Sequence, residues 1–127
     1  MDNAALVGID IERGAGIVDA LERAKLKVSV ALWAYLPEYE DWRLLIAARR
    51  FDSLDLREAY GLLHETLDPA GFTPEKTPTI MILRLDDPFI KALRRLFGKT
   101  KSVEGMRLGG QMIGDRWVED AYVYRIS

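Results

Sequence analysis

Apolar residues occupy both parities of two consecutive runs in the first half of the chain. Val28, Val30, Leu32 and Ala34 alternate with Ala31, Trp33 and Tyr35, and Leu44 and Ile46 alternate with Leu45 and Ala47. Successive side chains of a strand point to opposite faces, so a hairpin with one wet face reads apolar, polar, apolar. These runs do not. Joined by the polar turn Pro37-Glu38-Tyr39-Glu40-Asp41, they predict strands over Val28–Leu36 and Trp42–Ala48. Both faces of that hairpin need cover, from helices, a second subunit or a ligand.

Helical spacing lies on either side. Ile17, Leu21 and Ala24, with Val18 alongside, predict a first helix, with Asp10 as its N-cap and Glu12 near the positive end of the dipole. Gly14 and Gly16 each cost about 1 kcal/mol against Ala in a helix, which points to a frayed turn or a close packing contact. Leu56, Ala59, Tyr60, Leu63 and Leu67 form the apolar face of a second helix, capped from Asp52-Ser53-Leu54-Asp55 and stopped by Asp68-Pro69-Ala70-Gly71. A proline-punctuated loop then leads to Thr79–Leu85, an apolar run that reads as a central strand. Asp87-Pro88 opens a third helix with Phe89, Leu93, Leu96 and Phe97 on its buried face and Gly98 at its stop. Val103–Ile126 reads as a second hairpin turning at Gly114-Asp115. Its returning strand places Val118, Tyr122, Tyr124 and Ile126 together on one face, with Asp120 as the site of a bulge.

The order α-ββ-α-β-α-ββ predicts one α+β domain over residues 1–127, a mostly antiparallel sheet of about five strands with about three helices packed on one face. Three short helices cover one side of such a sheet. The other side then exposes Trp33, Tyr35 and Trp42 together with Tyr122 and Tyr124, a patch large enough to need a partner. Those five aromatics are the candidate binding residues, for a homodimer formed through a sheet face or edge, another protein, or a small ligand.

Composition narrows the classes. About half of the 127 residues are apolar and 30% are charged, the profile of a globular chain, and a net charge of −2 gives no global attraction to nucleic acid or an anionic membrane. There is no cysteine, which excludes disulfides, thiolate metal sites and cysteine nucleophiles. The N-terminal sequence lacks a basic segment followed by an apolar one, and no apolar run approaches the ~20 residues that span a bilayer. The expectation is a cytoplasmic protein with no membrane partner.

Chemistry-bearing motifs are sparse. His64 is the single histidine, the four serines lie outside any nucleophile elbow, and no metal or cofactor motif stands out. Asp86, Glu119 and Asp120 are strand-borne or strand-end acids that a metal-dependent hydrolase requires to converge, but the acid-x-lysine spacing of nucleases is missing. Gly105–Gly110 has glycines without the strand–loop–helix setting of a phosphate cradle. Charge is more informative. Lys91, Arg94, Arg95, Lys99, Lys101 and Arg107 stand against Glu104 alone, a local balance of +5 in an acidic chain, with Arg49 and Arg50 as possible extensions.

Two resemblances attach to these residues. Ala5-Leu6-Val7-Gly8-Ile9-Asp10-Ile11 is similar to the opening strand of actin-like ATPases and RuvC-type nucleases, yet their glycine-rich turn and following strands do not come next. The alternation Val30–Leu36 with Trp42-Arg43-Leu44, the closing Val118–Arg125 and Arg57–Tyr60 of the second helix resemble a small family of uncharacterised bacterial proteins. That resemblance implies a compact bacterial domain and no particular chemistry. The expectation is therefore a non-enzymatic binding domain, with nucleic-acid association through Lys91–Arg107 as the alternative and metal-dependent hydrolysis as the third reading.

Overall fold

The computed structural model describes residue 6 and residues 8–73, 75, 77–100 and 102–127. In chain order the elements are α1 (Gly8–Arg23), β1 (Val28–Leu36), β2 (Asp41–Ala48), the single turn α2 (Arg49–Asp52), α3 (Leu56–Leu67), β3 (Ile80–Ile82), α4 (Pro88–Phe97), β4 (Arg107–Leu108), β5 (Gln111–Ile113), β6 (Arg116–Val118) and β7 (Asp120–Ile126). The five-stranded sheet has the order β3-β2-β1-β7-β4, and β5 and β6 form a separate two-stranded ribbon. The fold is α+β and the sheet mostly antiparallel. The β2–β3 pair is parallel, which makes it mixed.

β1 lies at the centre, and its double apolar register is explained by a layer on each side. Ala31 and Trp33 of β1, with Leu44 and Ile46 of β2, pack beneath Ile17, Ala20 and Leu21 of α1, Phe51 of α2 and Ala59 and Leu63 of α3. Val30, Leu32, Ala34 and Leu36, with Leu45 and Ala47, pack against Phe89, Ile90 and Leu93 of α4 and Ile113 and Val118 of the ribbon. The helices are therefore not all on one face, because α4 crosses to the second layer and the ribbon completes it. The extra residue Ser29 between Val28 and Val30 puts those two valines in opposite layers.

Local signals set the helix ends. Asp55 caps α3 with a reciprocal box: its carboxylate accepts from Glu58 N–H at 2.8 Å, and Glu58 accepts from Asp55 N–H at 3.2 Å. Asp87 caps α4 by accepting from Phe89 N–H at 2.9 Å, with Pro88 in the first turn. Asp10 differs from expectation. α1 starts at Gly8, so Asp10 lies inside the first turn; Gly8–Ile11 are helical, in keeping with the helical reading preferred over an actin-like strand. Leu96 is also misassigned by spacing alone, being 54% exposed.

The two remaining differences concern strands. The Thr79–Leu85 run forms a three-residue edge strand, not a central one, and Tyr60 Oη accepts from Ile82 N–H at 3.0 Å on its outer side. The second hairpin divides. A Cβ at Gly109 would come within 2.8 Å of the Glu119 carbonyl, so the chain turns away there and builds the ribbon, while β4 and β7 join the main sheet. The bulge falls at Tyr124, between the pairs Ala31–Arg125 and Leu32–Val123, and not at Asp120. That extra residue and the break at Glu119 separate the expected set. Val118 and Ile126 join the α4 layer, and Tyr122 and Tyr124 the α1 layer.

Candidate functional site

The five candidate aromatics do share a face, the one beneath α1. Tyr35 and Trp42 are direct cross-strand partners with rings edge-on at 5.9 Å, and Trp33 stands opposite Tyr122, whose ring is 5.4 Å from that of Tyr124. They do not form an open sheet face. Trp33, Tyr35 and Tyr124 are only 3%, 6% and 9% exposed, and Trp42 and Tyr122 are half-buried. With α1 and α3 on this side and α4 on the other, the premise of a bare sheet face no longer holds.

Part of the aromatic row borders a cavity at the start of α1. Asp10, Trp33, Asp41 and Trp42 line it with Leu6, Pro78 and Thr79, enclosing about 280 Å³. Asp41 is held by accepting from the backbone N–H of Trp42 at 2.8 Å. The surroundings are anionic. Burial, then the carboxylates of Glu119, Glu40 and Asp41, raise the Tyr35 hydroxyl above its ordinary range. Burial also pushes Tyr124 up to about 12, with the Trp33 hydrogen bond opposing and the neighbouring Tyr122 and Asp10 adding to the rise. Trp33 and Trp42 were legible as aromatics. The convergence of Asp10 and Asp41 on them was not, because it depends on how α1 docks.

The basic stretch separates into two parts. Lys91, Arg94, Arg95 and Lys99 are all exposed along the outer side of α4 and the turn after it, around the exposed Leu96. Arg94 donates to the Ser127 carbonyl at 2.8 Å. Arg107 does not belong to this surface: it makes a bidentate pair with Asp120, at 2.8 and 2.9 Å, on the neighbouring strand. Lys101 lies outside the described residues. Arg49 and Arg50 fall in α2, whose Phe51 belongs to the opposite layer.

Other candidates find local roles. His64 is half-buried on α3 and lines a second cavity of about 280 Å³ with Tyr60, Thr77 and Thr79. Asp86 follows β3 at the end of the sheet where Val28 meets Ala48, whereas Asp120 pairs with Tyr35 at the other end. Asp86 is bound to Arg84 at 3.2 Å and Asp120 to Arg107, so the acids of the hydrolase reading do not converge. No group of three His, Asp or Glu side chains among the described residues has metal-binding geometry. Gly105 and Gly110 take positive φ in the bends flanking β4, with no helix following. No described helix is long and apolar enough to cross a membrane.

Chemically, these surfaces offer charge and aromatic contact. No protein-family model, curated protein or solved structure matches the chain.

Proposed function

We propose that this chain is a binding domain whose contact surface is the outer side of α4, and that its partner is a nucleic acid held through its phosphates. The observation that supports this reading is the clustering of cations: Lys91, Arg94, Arg95 and Lys99 lie together on one exposed surface, none with a carboxylate ion pair among the described residues, although Arg94 also donates to a Ser127 oxygen. Favourable interaction with the helix dipole accounts for cations in the last turn of α4, but Lys91 lies before that turn. On the opposite layer, α1 carries Asp10, Glu12, Asp19 and Glu22. Leu96, exposed between the cations, supplies an apolar contact for a sugar or base.

Chromatography on immobilised heparin tests the reading. The protein is expected to be retained at low salt and to elute as salt rises, and the double reversal R94E/R95E is expected to abolish retention. Retention that survives the reversal removes α4 as the contact surface.

A further inference from the structure

We propose, resting on the reading of α4 given above, that the nucleic acid is single-stranded and that Trp117 on the β5–β6 ribbon is the platform on which one of its bases stacks. In a duplex the ring faces of the bases lie against one another, and only base edges reach the grooves. An unpaired strand offers its ring faces, and an aromatic side chain beside a cationic surface is suited to hold them.

The ribbon presents such a side chain. Ile113 and Val118 turn inward and join the α4 layer. Met112 and Trp117 are direct cross-strand partners on the other face, 58% and 49% exposed. A single exposed apolar side chain needs no explanation, but here two large ones stand side by side. Their mounting is fixed. Arg116, next to Trp117, bonds Glu38 at 3.4 Å and lies 5.8 Å from the centre of the Phe89 ring on α4. An indole has only two side-chain torsions, so an anchored ribbon offers it at low ordering cost.

The platform and the cations are neighbours. A Cβ at Gly114, in the ribbon turn, would lie 2.6 Å from the Pro88 carbonyl oxygen and 3.2 Å from Ala92 Cβ, so the turn is seated on α4. Ala92 follows Lys91 in sequence and lies one helical turn before Arg95 and Leu96, which places the ribbon against the edge of α4 that carries these exposed residues. Trp117 is separated from Gly114 by no more than about 11 Å of chain. A strand of a few nucleotides therefore reaches from the indole to the cations.

Charge separates the two roles. The cleft beside Trp117 is lined by Pro37, Glu38, Asp115 and Arg116, and Glu38 already engages the arginine. Phosphates are disfavoured there and drawn to Lys91, Arg94, Arg95 and Lys99, whereas the uncharged face of a base can lie on the ribbon.

Fluorescence anisotropy with the full chain and three labelled ligands forms the test: oligothymidylate of about 12 nucleotides, an abasic strand of that length and a matching duplex. Oligothymidylate is expected to bind more tightly than the duplex, and more tightly than the abasic strand by about tenfold, the worth of one stacked base. W117A alters an exposed side chain and is expected to lose that tenfold while leaving duplex binding unchanged; W117F is expected to retain most of it. The abasic strand probes the same contact in the unaltered protein, so the proposal stays testable even if W117A misfolds. Oligouridylate in place of oligothymidylate separates RNA from DNA as the source of the strand. Equal binding of the abasic strand, or a W117A profile matching the wild type, overturns the stacking contact, and loss of binding in R94E/R95E then leaves the α4 reading standing. Failure of all three ligands to bind overturns both. A dimer in sedimentation that W117A dissociates assigns the ribbon face to a second copy and likewise overturns the proposal.

Discussion

Trp33 donates its indole N–H to the hydroxyl of Tyr124 at 2.9 Å, and the same hydroxyl donates to the Ile11 carbonyl at 2.6 Å, tying the central strand, its neighbour and α1 at one point. Gly14 makes the contact possible. A Cβ at Gly14 would overlap Tyr124 Oη and lie 2.8 Å from Trp33 Nε1. Gly14→Ala is therefore expected to lower stability by about 1–3 kcal/mol through overpacking, although alanine is the better helix former. Tyr124→Phe leaves the Trp33 N–H and the Ile11 carbonyl without this partner and is expected to cost a similar 1–3 kcal/mol, roughly, by urea unfolding.

Alkaline titration gives an independent reading of the same contact. Tyr124 is raised from 10.0 to about 12 in the folded protein. Its neutral form is the one the fold favours, so its contribution to stability is complete below pH 10 and is lost as pH rises towards about 12. The ultraviolet absorbance of tyrosinate in the wild type should include a late-titrating group that Tyr124→Phe removes. A Tyr124→Phe titration superimposable on the wild type after loss of one ordinary tyrosine contradicts the assignment.

Helix ends supply a third check. Asp55 and Asp87 each satisfy an N-terminal amide through a side-chain oxygen. Asp55→Ala and Asp87→Ala are each expected to destabilise by about 1 kcal/mol in thermal or denaturant melts. An effect within error at both sites would contradict the capping geometry.

The second layer is testable at Phe89, fully buried between α4 and the sheet. Phe89→Ala is expected to cost about 3–5 kcal/mol. A loss below about 1 kcal/mol, the range of surface substitutions, would mean that α4 does not cover this face.

Much of this architecture is written locally. The capping residues Asp55 and Asp87-Pro88 mark α3 and α4, and the turn at Pro37–Glu40 bounds two strands close to their observed limits. The apolar character of both faces of β1 already required two covering layers. Which elements provide them was not legible, since Phe89 and Leu93 on α4 carry the same helical spacing whichever side of the sheet they meet. The split of the second hairpin was likewise hidden, because it follows from the approach of Gly109 to the Glu119 carbonyl, a contact between residues of different segments. At the candidate sites, composition alone exposed the cations of α4. That Asp10 and Asp41 line one cavity depends on the docking of α1, for which a helical periodicity gives a face but no position along the strands.

The most direct test of the α4 reading is a fluorescence-anisotropy titration of a labelled DNA duplex at two salt concentrations. Four cations on phosphates predict that the logarithm of the binding constant falls against the logarithm of salt with a slope of about −3 to −4. R94E/R95E should abolish binding at the lower salt. A slope near zero, or equal binding by the reversed variant, would contradict phosphate recognition by α4.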